Sequence, residues 1–400
     1  MLSSGTRAAT GEDAQMRGFV EDVFRSLHRV EQRRWARAYL WGLVHGSGRK
    51  TPRRLARFGA LPPAAVHGLH QFINVSPWDW QPVRRRLAER VAAVAAPFAW
   101  TVAELAIPKS GDHSVGVHAR TDPATGQRVH GQRALGLFLV AEGRAFPVDW
   151  SLLLGGAWER DEELRRRARI PEAETARPAG AHVLEQAVRA VALPSLAALP
   201  WVLDLTGYEE AAGVLAGLAR ERLDVVCEVD PGQVVLAGRH SPRVSTVGAL
   251  MGIRHARQSQ MMTRQTPDGR TNVVPIRAYA GTVRLPQQTG ADGAGRTYRI
   301  LERSAVDGQL PSRYWITSLT EQSVDQVFAL VRGRSAALSA LSVLEERFGA
   351  LDFEGRSYPG WHHHMTMASA AYVHQHLDGA PAVLPRQWSP PEAAIGAAAG

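Results

Sequence analysis

Apolar residues follow two different rhythms along this chain, and the change falls near residue 97. In the first part Phe19, Val20, Val23, Phe24, Leu27 and Val30 recur at three- and four-residue intervals, the period of an amphipathic helix, within residues 16–44. Leu61-Pro62-Pro63 then turns the chain before a short helix over 64–72, and Ser76-Pro77-Trp78-Asp79-Trp80 leads into another over 81–95. From Phe98 the pattern alternates: Phe98, Trp100 and Val102 are separated by smaller residues, as in a half-buried strand. Apolar runs at 133–140 and 145–154 flank Glu142-Gly143-Arg144, a hairpin signal. Together these predict three antiparallel strands. A helix over 181–191, a strand over 201–205, a helix over 209–221 and a strand over 223–229 follow, and that alternation predicts parallel strands. Residues 230–320 read as scattered short strands (282–285, 296–303 and 314–318) with Gly- and Gln-rich connections. A long helix over 324–348 is stopped by Gly349, and a last helix lies near 366–377.

The fold class is therefore mixed, α+β and α/β together. Residues 1–15 read as a flexible lead, 16–96 as a helical domain and 97–380 as a sheet-bearing core with a β-rich insertion at 230–320. Residues 381–400 are Pro- and Ala-rich and are expected to be disordered.

Composition narrows the class. At 400 residues, with 45% apolar and 21% charged, the chain can form two or three globular units. The single cysteine, Cys227, lies in an apolar run; it excludes an internal disulfide and a cysteine zinc site. No 18-residue apolar run is evident and residues 1–15 lack the apolar core of a signal peptide, so a cytoplasmic protein with no membrane partner is expected. The net charge of +9 comes almost wholly from arginine, Lys50 and Lys109 being the only lysines. Basic clusters fall at Arg33, Arg34 and Arg37, at Arg49, Lys50, Arg53, Arg54 and Arg57, and at Arg84, Arg85, Arg86 and Arg90. Such clusters form either a solvated helix face or a surface for phosphate, and the residues alone leave both open.

Ile107-Pro108-Lys109-Ser110-Gly111 followed by His113-Ser114-Val115-Gly116-Val117 carries a more specific signal. With Tyr39-Leu40-Trp41-Gly42-Leu43, Trp158, Ile170-Pro171-Glu172, Tyr208 and Phe353-Glu354-Gly355-Arg356-Ser357, this frame resembles insertion-sequence transposases of the DDE class over roughly residues 16–378. The resemblance implies a ribonuclease-H-like core after a helical DNA-binding domain, a DNA partner, and two divalent metal ions held by three carboxylates for phosphoryl transfer. It is compatible with a homodimer. Aligned residue by residue, the three acids fall on Ala103, Leu205 and Leu338, none of which can ligate a hard cation. No metal ligand and no cofactor are then expected. Leu338 reads as part of an apolar helix stripe with Val327, Val331 and Leu341.

Glu104 and Asp204 stand one residue from two of these positions. Consecutive strand side chains point to opposite faces, so the one-residue shift is expected to aim both away from the site. The first reading is a catalytically inactive, transposase-derived DNA-binding protein using Arg33, Arg34, Arg37, Arg49, Lys50, Arg53, Arg54, Lys109, Arg120, Arg334 and Arg356. A second is an active transposase using Mg²⁺ or Mn²⁺ through Glu104 and Asp204. A third is a scaffold binding a protein or small molecule in an apolar pocket lined by Ala103, Leu205 and Leu338. The run His362-His363-His364 reads as structural or phosphate-contacting, since adjacent helix residues diverge too far to share one ion. Glycine-rich residues 290–295 match no phosphate loop.

Overall fold

The computed structural model describes residues 3–59, 61–121, 126–238, 241–265, 271–286, 296–304 and 311–377. Five helices come first: α1 (Ser3–Val23), α2 (Val30–His45), α3 (Pro52–Phe58), α4 (Ala65–Asn74) and α5 (Trp80–Ala95). The helical rhythm of residues 16–44 is thus two helices, broken at 24–29. The first half of α1 falls within residues 1–15, and there Asp13 pairs with Arg17 at 3.1 Å and with Arg37. Asp79 starts α5 by accepting a hydrogen bond from the Gln81 amide at 2.9 Å, an N-cap.

The core begins with β1 (Ala99–Pro108), β2 (His118–Thr121), β3 (Arg128–Ala141) and β4 (Arg144–Leu153). Helices α6 (Glu162–Arg167) and α7 (Ala179–Val191) lead to β5 (Trp201–Asp204), α8 (Ala211–Arg220) and β6 (Val225–Val229). Strands β4, β3 and β1 are antiparallel neighbours, and β5 and β6 follow parallel to β1. Three antiparallel strands continued by two parallel ones are what a ribonuclease-H-like core requires, and the mixed α/β class holds.

The insertion carries β7 (Val234–Ala237), β8 (Arg243–Thr246), α9 (Val247–Gly252), β9 (Arg257–Gln265), β10 (Thr271–Tyr279), β11 (Val283–Arg284), β12 (Arg299–Arg303) and β13 (Arg313–Thr317). It is less scattered than its sequence implies. Strands β13, β12, β10 and β9 continue outward from β6 and widen the main sheet, while β11, β7 and β8 form a small sheet of their own. The chain closes with α10 (Val324–Arg347) and α11 (Tyr358–Leu377). The tail expected at 381–400 lies outside the described residues.

Each face of the sheet has its own helices. Gly333 of α10 sits so close to Val140 that an added Cβ would come within 2.7 Å of its Cγ1. Val140 is level with Ala99, so Ala99, Thr101, Ala103 and Leu105 also face α10. Helix α7 covers the other face, where Gln186 donates to Ser151 Oγ at 3.2 Å. On that face the Trp100 and Trp201 rings stack with centroids 5.8 Å apart, fixing the β1–β5 register. Contrary to the expectation of no such run, among the described residues α10 is the one helix long and apolar enough to cross a bilayer; here it packs along β1 and β4.

The helical domain is not separate from this core. Helix α11 is buried nearly throughout and lies between β4 and helices α2, α4 and α5. Its histidines make the join: His362 stacks on Trp80 (4.6 Å), His363 stacks on Trp78 (3.9 Å), and His364 Nδ1 lies 2.9 Å from the Tyr39 hydroxyl. Burial drives the pKa of His363 and His364 down to about 4, and His362 falls well below the ordinary value for the same reason. They are neutral, structural groups. Arg84 of α5 completes the weld, donating to Asp149 at 2.7 Å, Trp150 O at 2.9 Å and Thr366 Oγ1 at 2.8 Å.

Candidate active site and nucleic-acid interface

The three marked positions meet the α10 side of the sheet in different ways. Ala103 is 3% exposed and faces α10. Thr101 is level with Val202, and two residues further on the same register sets Ala103 level with Asp204. Asp204 faces α10 too: its Oδ2 lies 2.7 Å from Arg334 Nη2. Its Oδ1 accepts from the Thr206 amide (3.0 Å) and hydroxyl (2.5 Å). The expectation that Asp204 points away from the site is therefore wrong, and Leu205, buried at the strand end, is not the site-facing residue. The cause is local. The Thr206-Gly207 turn, with Gly207 at φ 73°, places three residues between Asp204 and Tyr208, one more than the resemblance to the transposases implies for an acid placed by its distance from Tyr208.

Glu104 does point away. It accepts two hydrogen bonds from Arg133, both 2.6 Å, on the α7 face. Tyr208 stands near this pair, its pKa pushed up to about 12 by burial and then by the charge of Glu104. Glu104 and Asp204 thus lie on opposite faces and do not converge. Leu338 departs from expectation as well. It is 42% exposed, one turn along α10 from Arg334, because the buried line of the helix runs through Val327, Gly333, Ala337, Leu341 and Leu344 and leaves it to one side.

A carboxylate not singled out in the sequence completes this region. Glu228 of β6 is level with Asp204 and shares its face. It is nearly buried, and both of its oxygens are hydrogen-bonded by Arg313. Arg313 and Arg303 lie over the Trp315 ring at 5.3 and 5.7 Å from its centroid. Strand alternation alone could have found Glu228, since it stands in phase with Val226 on a strand next to β5.

These residues do not fit a two-metal site. Of the acids facing α10, Asp204 and Glu228 are each neutralised by a guanidinium group, and Ala103 and Leu338 carry no donor. Among the described residues no group of three or more His, Cys, Asp or Glu is placed to hold a metal ion. None of the described clefts is lined by Ala103, Leu205 or Leu338, so the apolar pocket of the third reading has no counterpart among them.

The basic residues divide by availability. Arg33, Arg34 and Arg37 line a cleft of about 610 Å³ with Arg17 and Trp41; Arg33 also bonds Leu27 O, and Arg34 lies over Trp35. Arg53, Arg54 and Arg356 are exposed. Arg49 reaches Glu354 at 3.3 Å and Asp352 at 3.6 Å, and Arg120 is half-buried on β2. The two lysines have other work. Lys50 is 3% exposed and donates to Leu43 O at 2.9 Å and to Gly46 O, closing the end of α2. Lys109 donates to Phe353 O at 2.7 Å and Leu351 O at 3.2 Å, and burial lowers its pKa. The shared Pro-Lys and Phe-Glu-Gly-Arg-Ser frames are therefore in direct contact.

No curated protein matches the chain. A model of the family described as DDE superfamily endonuclease matches residues 22–287, about two thirds of the length and spanning α2 to β11. With a mixed sheet of the required order beneath that match, the chain belongs to the DDE superfamily endonucleases, a transposase-like nuclease family.

Proposed function

We propose that this chain is a transposase-derived protein that binds DNA through its arginine-rich surface and does not cut it. The observation that carries this reading is the Asp204–Arg334 pair at 2.7 Å: the one acid next to a marked position that faces α10 is held by a guanidinium group, between an alanine and an exposed leucine. DDE cleavage needs carboxylates converging on hard cations, and neutral alkyl groups supply no ligand. DNA binding needs only the phosphate-facing charge, and Arg34, Arg53, Arg54, Arg85 and Arg356 are exposed.

Fluorescence anisotropy with a labelled duplex across a salt series tests it. If six phosphates are contacted, the logarithm of the binding constant should fall with a slope of roughly −5 against the logarithm of salt. Arg53→Ala and Arg54→Ala should each make the slope shallower by about 1. Weak binding that ignores salt would end the proposal.

A further inference from the structure

We propose that Arg334 and Arg313 form a phosphate site on the α10 face, where fixed guanidinium charge takes the role that divalent ions have in a three-carboxylate site, and that Asp204 and Glu228 hold these groups until a phosphodiester displaces them. The inference rests on the reading that DNA lies across this face.

Asp204 and Glu228 are level with each other at the ends of neighbouring parallel strands, and both face α10. Their arginines arrive from opposite sides, Arg334 from α10 and Arg313 from β13, so two guanidinium groups converge on the rim that Ala103 and Leu338 leave without ligands. The rim is open to solvent, the side chains of Arg313, Arg334 and Asp204 being 42%, 28% and 18% exposed.

Arg313 grips both oxygens of Glu228, but the Asp204–Arg334 pair is incomplete. A guanidinium group has five N–H donors in a planar fork suited to two phosphate oxygens. Arg334 engages Asp204 through Nη2, while its Nε is buried and has no partner. A hard cation would instead meet two guanidinium groups at close range, and like charges in a half-buried site repel it. Leu338, one turn from Arg334, adds an exposed apolar surface suited to a deoxyribose face.

The pairing predicts an unusual sign. In a metal site Asp204→Asn would weaken DNA binding by removing a ligand. Here it removes the competitor of the phosphate and frees Arg334. A labelled duplex titrated in EDTA reads this directly. Asp204→Asn should bind about three- to tenfold more tightly than the unmodified chain, and Arg334→Gln and Arg313→Gln about tenfold more weakly, each losing about one unit of salt slope. Adding Mg²⁺ should not strengthen binding. Thermal melting establishes that each variant is folded. Should Arg334→Gln not fold, Arg334→Lys keeps the charge without the planar fork and should still weaken binding. If the unmodified chain binds DNA but Asp204→Asn weakens it, or both arginine variants bind unchanged, this inference fails while the helical arginines remain the DNA surface. If the unmodified chain binds no DNA at all, the proposed function fails and this inference with it.

Discussion

Replacing Arg84 by methionine should destabilise the whole chain by about 3 kcal/mol, because this side chain joins three parts of the fold. Arg84 is 2% exposed and reaches Asp149, Trp150 O, Thr366 Oγ1 and, at 3.1 Å, both the carbonyl and the ring of His362. Those partners lie on β4 and α11, whereas Arg84 belongs to α5. Burial disfavours the charge on Asp149, yet Arg189 and Arg84 outweigh it and hold the carboxyl below its usual range. Breaking a buried pair by removing one partner costs roughly 3–5 kcal/mol. The lower end applies because Asp149 keeps Arg189 at 2.9 Å and the Trp150 amide at 2.8 Å. A folded chain has about 5–15 kcal/mol in all, so the loss is large. Urea unfolding followed by tryptophan fluorescence is the assay, since Trp78, Trp80, Trp150 and Trp361 surround the junction. One transition, shifted to lower urea, is expected. Arg85→Met, at an exposed neighbour, should change stability by less than about 0.5 kcal/mol. A change in Arg84→Met below about 1 kcal/mol, or helices α1–α5 unfolding in a separate step, would refute the idea of a weld.

Acid should loosen the same junction. His363 and His364 titrate near 6.5 when unfolded and near 4 when folded, so the unfolded chain takes up protons first and the stabilisation, complete above pH 6.5, is lost as pH falls towards 4. The loss by pH 5 is about 2 kcal/mol per histidine, read as a drop in urea midpoint from pH 7.5 to 5; a level profile would show that these groups are not neutral in the fold. Placing carboxylates at Ala103, which faces α10, and at Leu338 on α10 itself, Ala103→Asp with Leu338→Glu, should create Mn²⁺ binding that the unmodified chain lacks, measured by titration calorimetry. Adding Asp204→Asn should abolish it, and equal binding by all three proteins would show that these positions do not form one site.

Much of this fold is legible because its signals are local. The β3–β4 hairpin follows from Glu142-Gly143-Arg144, with Gly143 at φ 65°, and the end of α10 from Gly349 at φ 71°. Cys227 is a buried strand residue, as its apolar neighbours imply; burial raises its thiol pKa. The long β9–β10 hairpin is not legible in the sequence because Gln258, Ser259 and Gln260 are polar on both faces, which leaves no alternation to read. The site was harder. Counting back from Tyr208 assumes a fixed loop length, and one extra turn residue moved the assignment from Asp204 to Leu205. The phase of β5 does not depend on that loop. Leu338 shows the opposite limit, since α10 has apolar residues on more than one side and periodicity alone does not say which of them the sheet covers. The histidine run was recognisable as unlike a metal site, but its burial depends on α11 being enclosed by helices far away in sequence.

The central claim is that a DDE scaffold here holds DNA without cutting it. Incubating the unmodified protein with supercoiled plasmid and Mg²⁺ or Mn²⁺, at a concentration where anisotropy shows the DNA to be bound, tests that claim most directly. The account predicts that the plasmid stays supercoiled while it is bound. Metal-dependent nicking or strand joining that disappears in Asp204→Ala would contradict it.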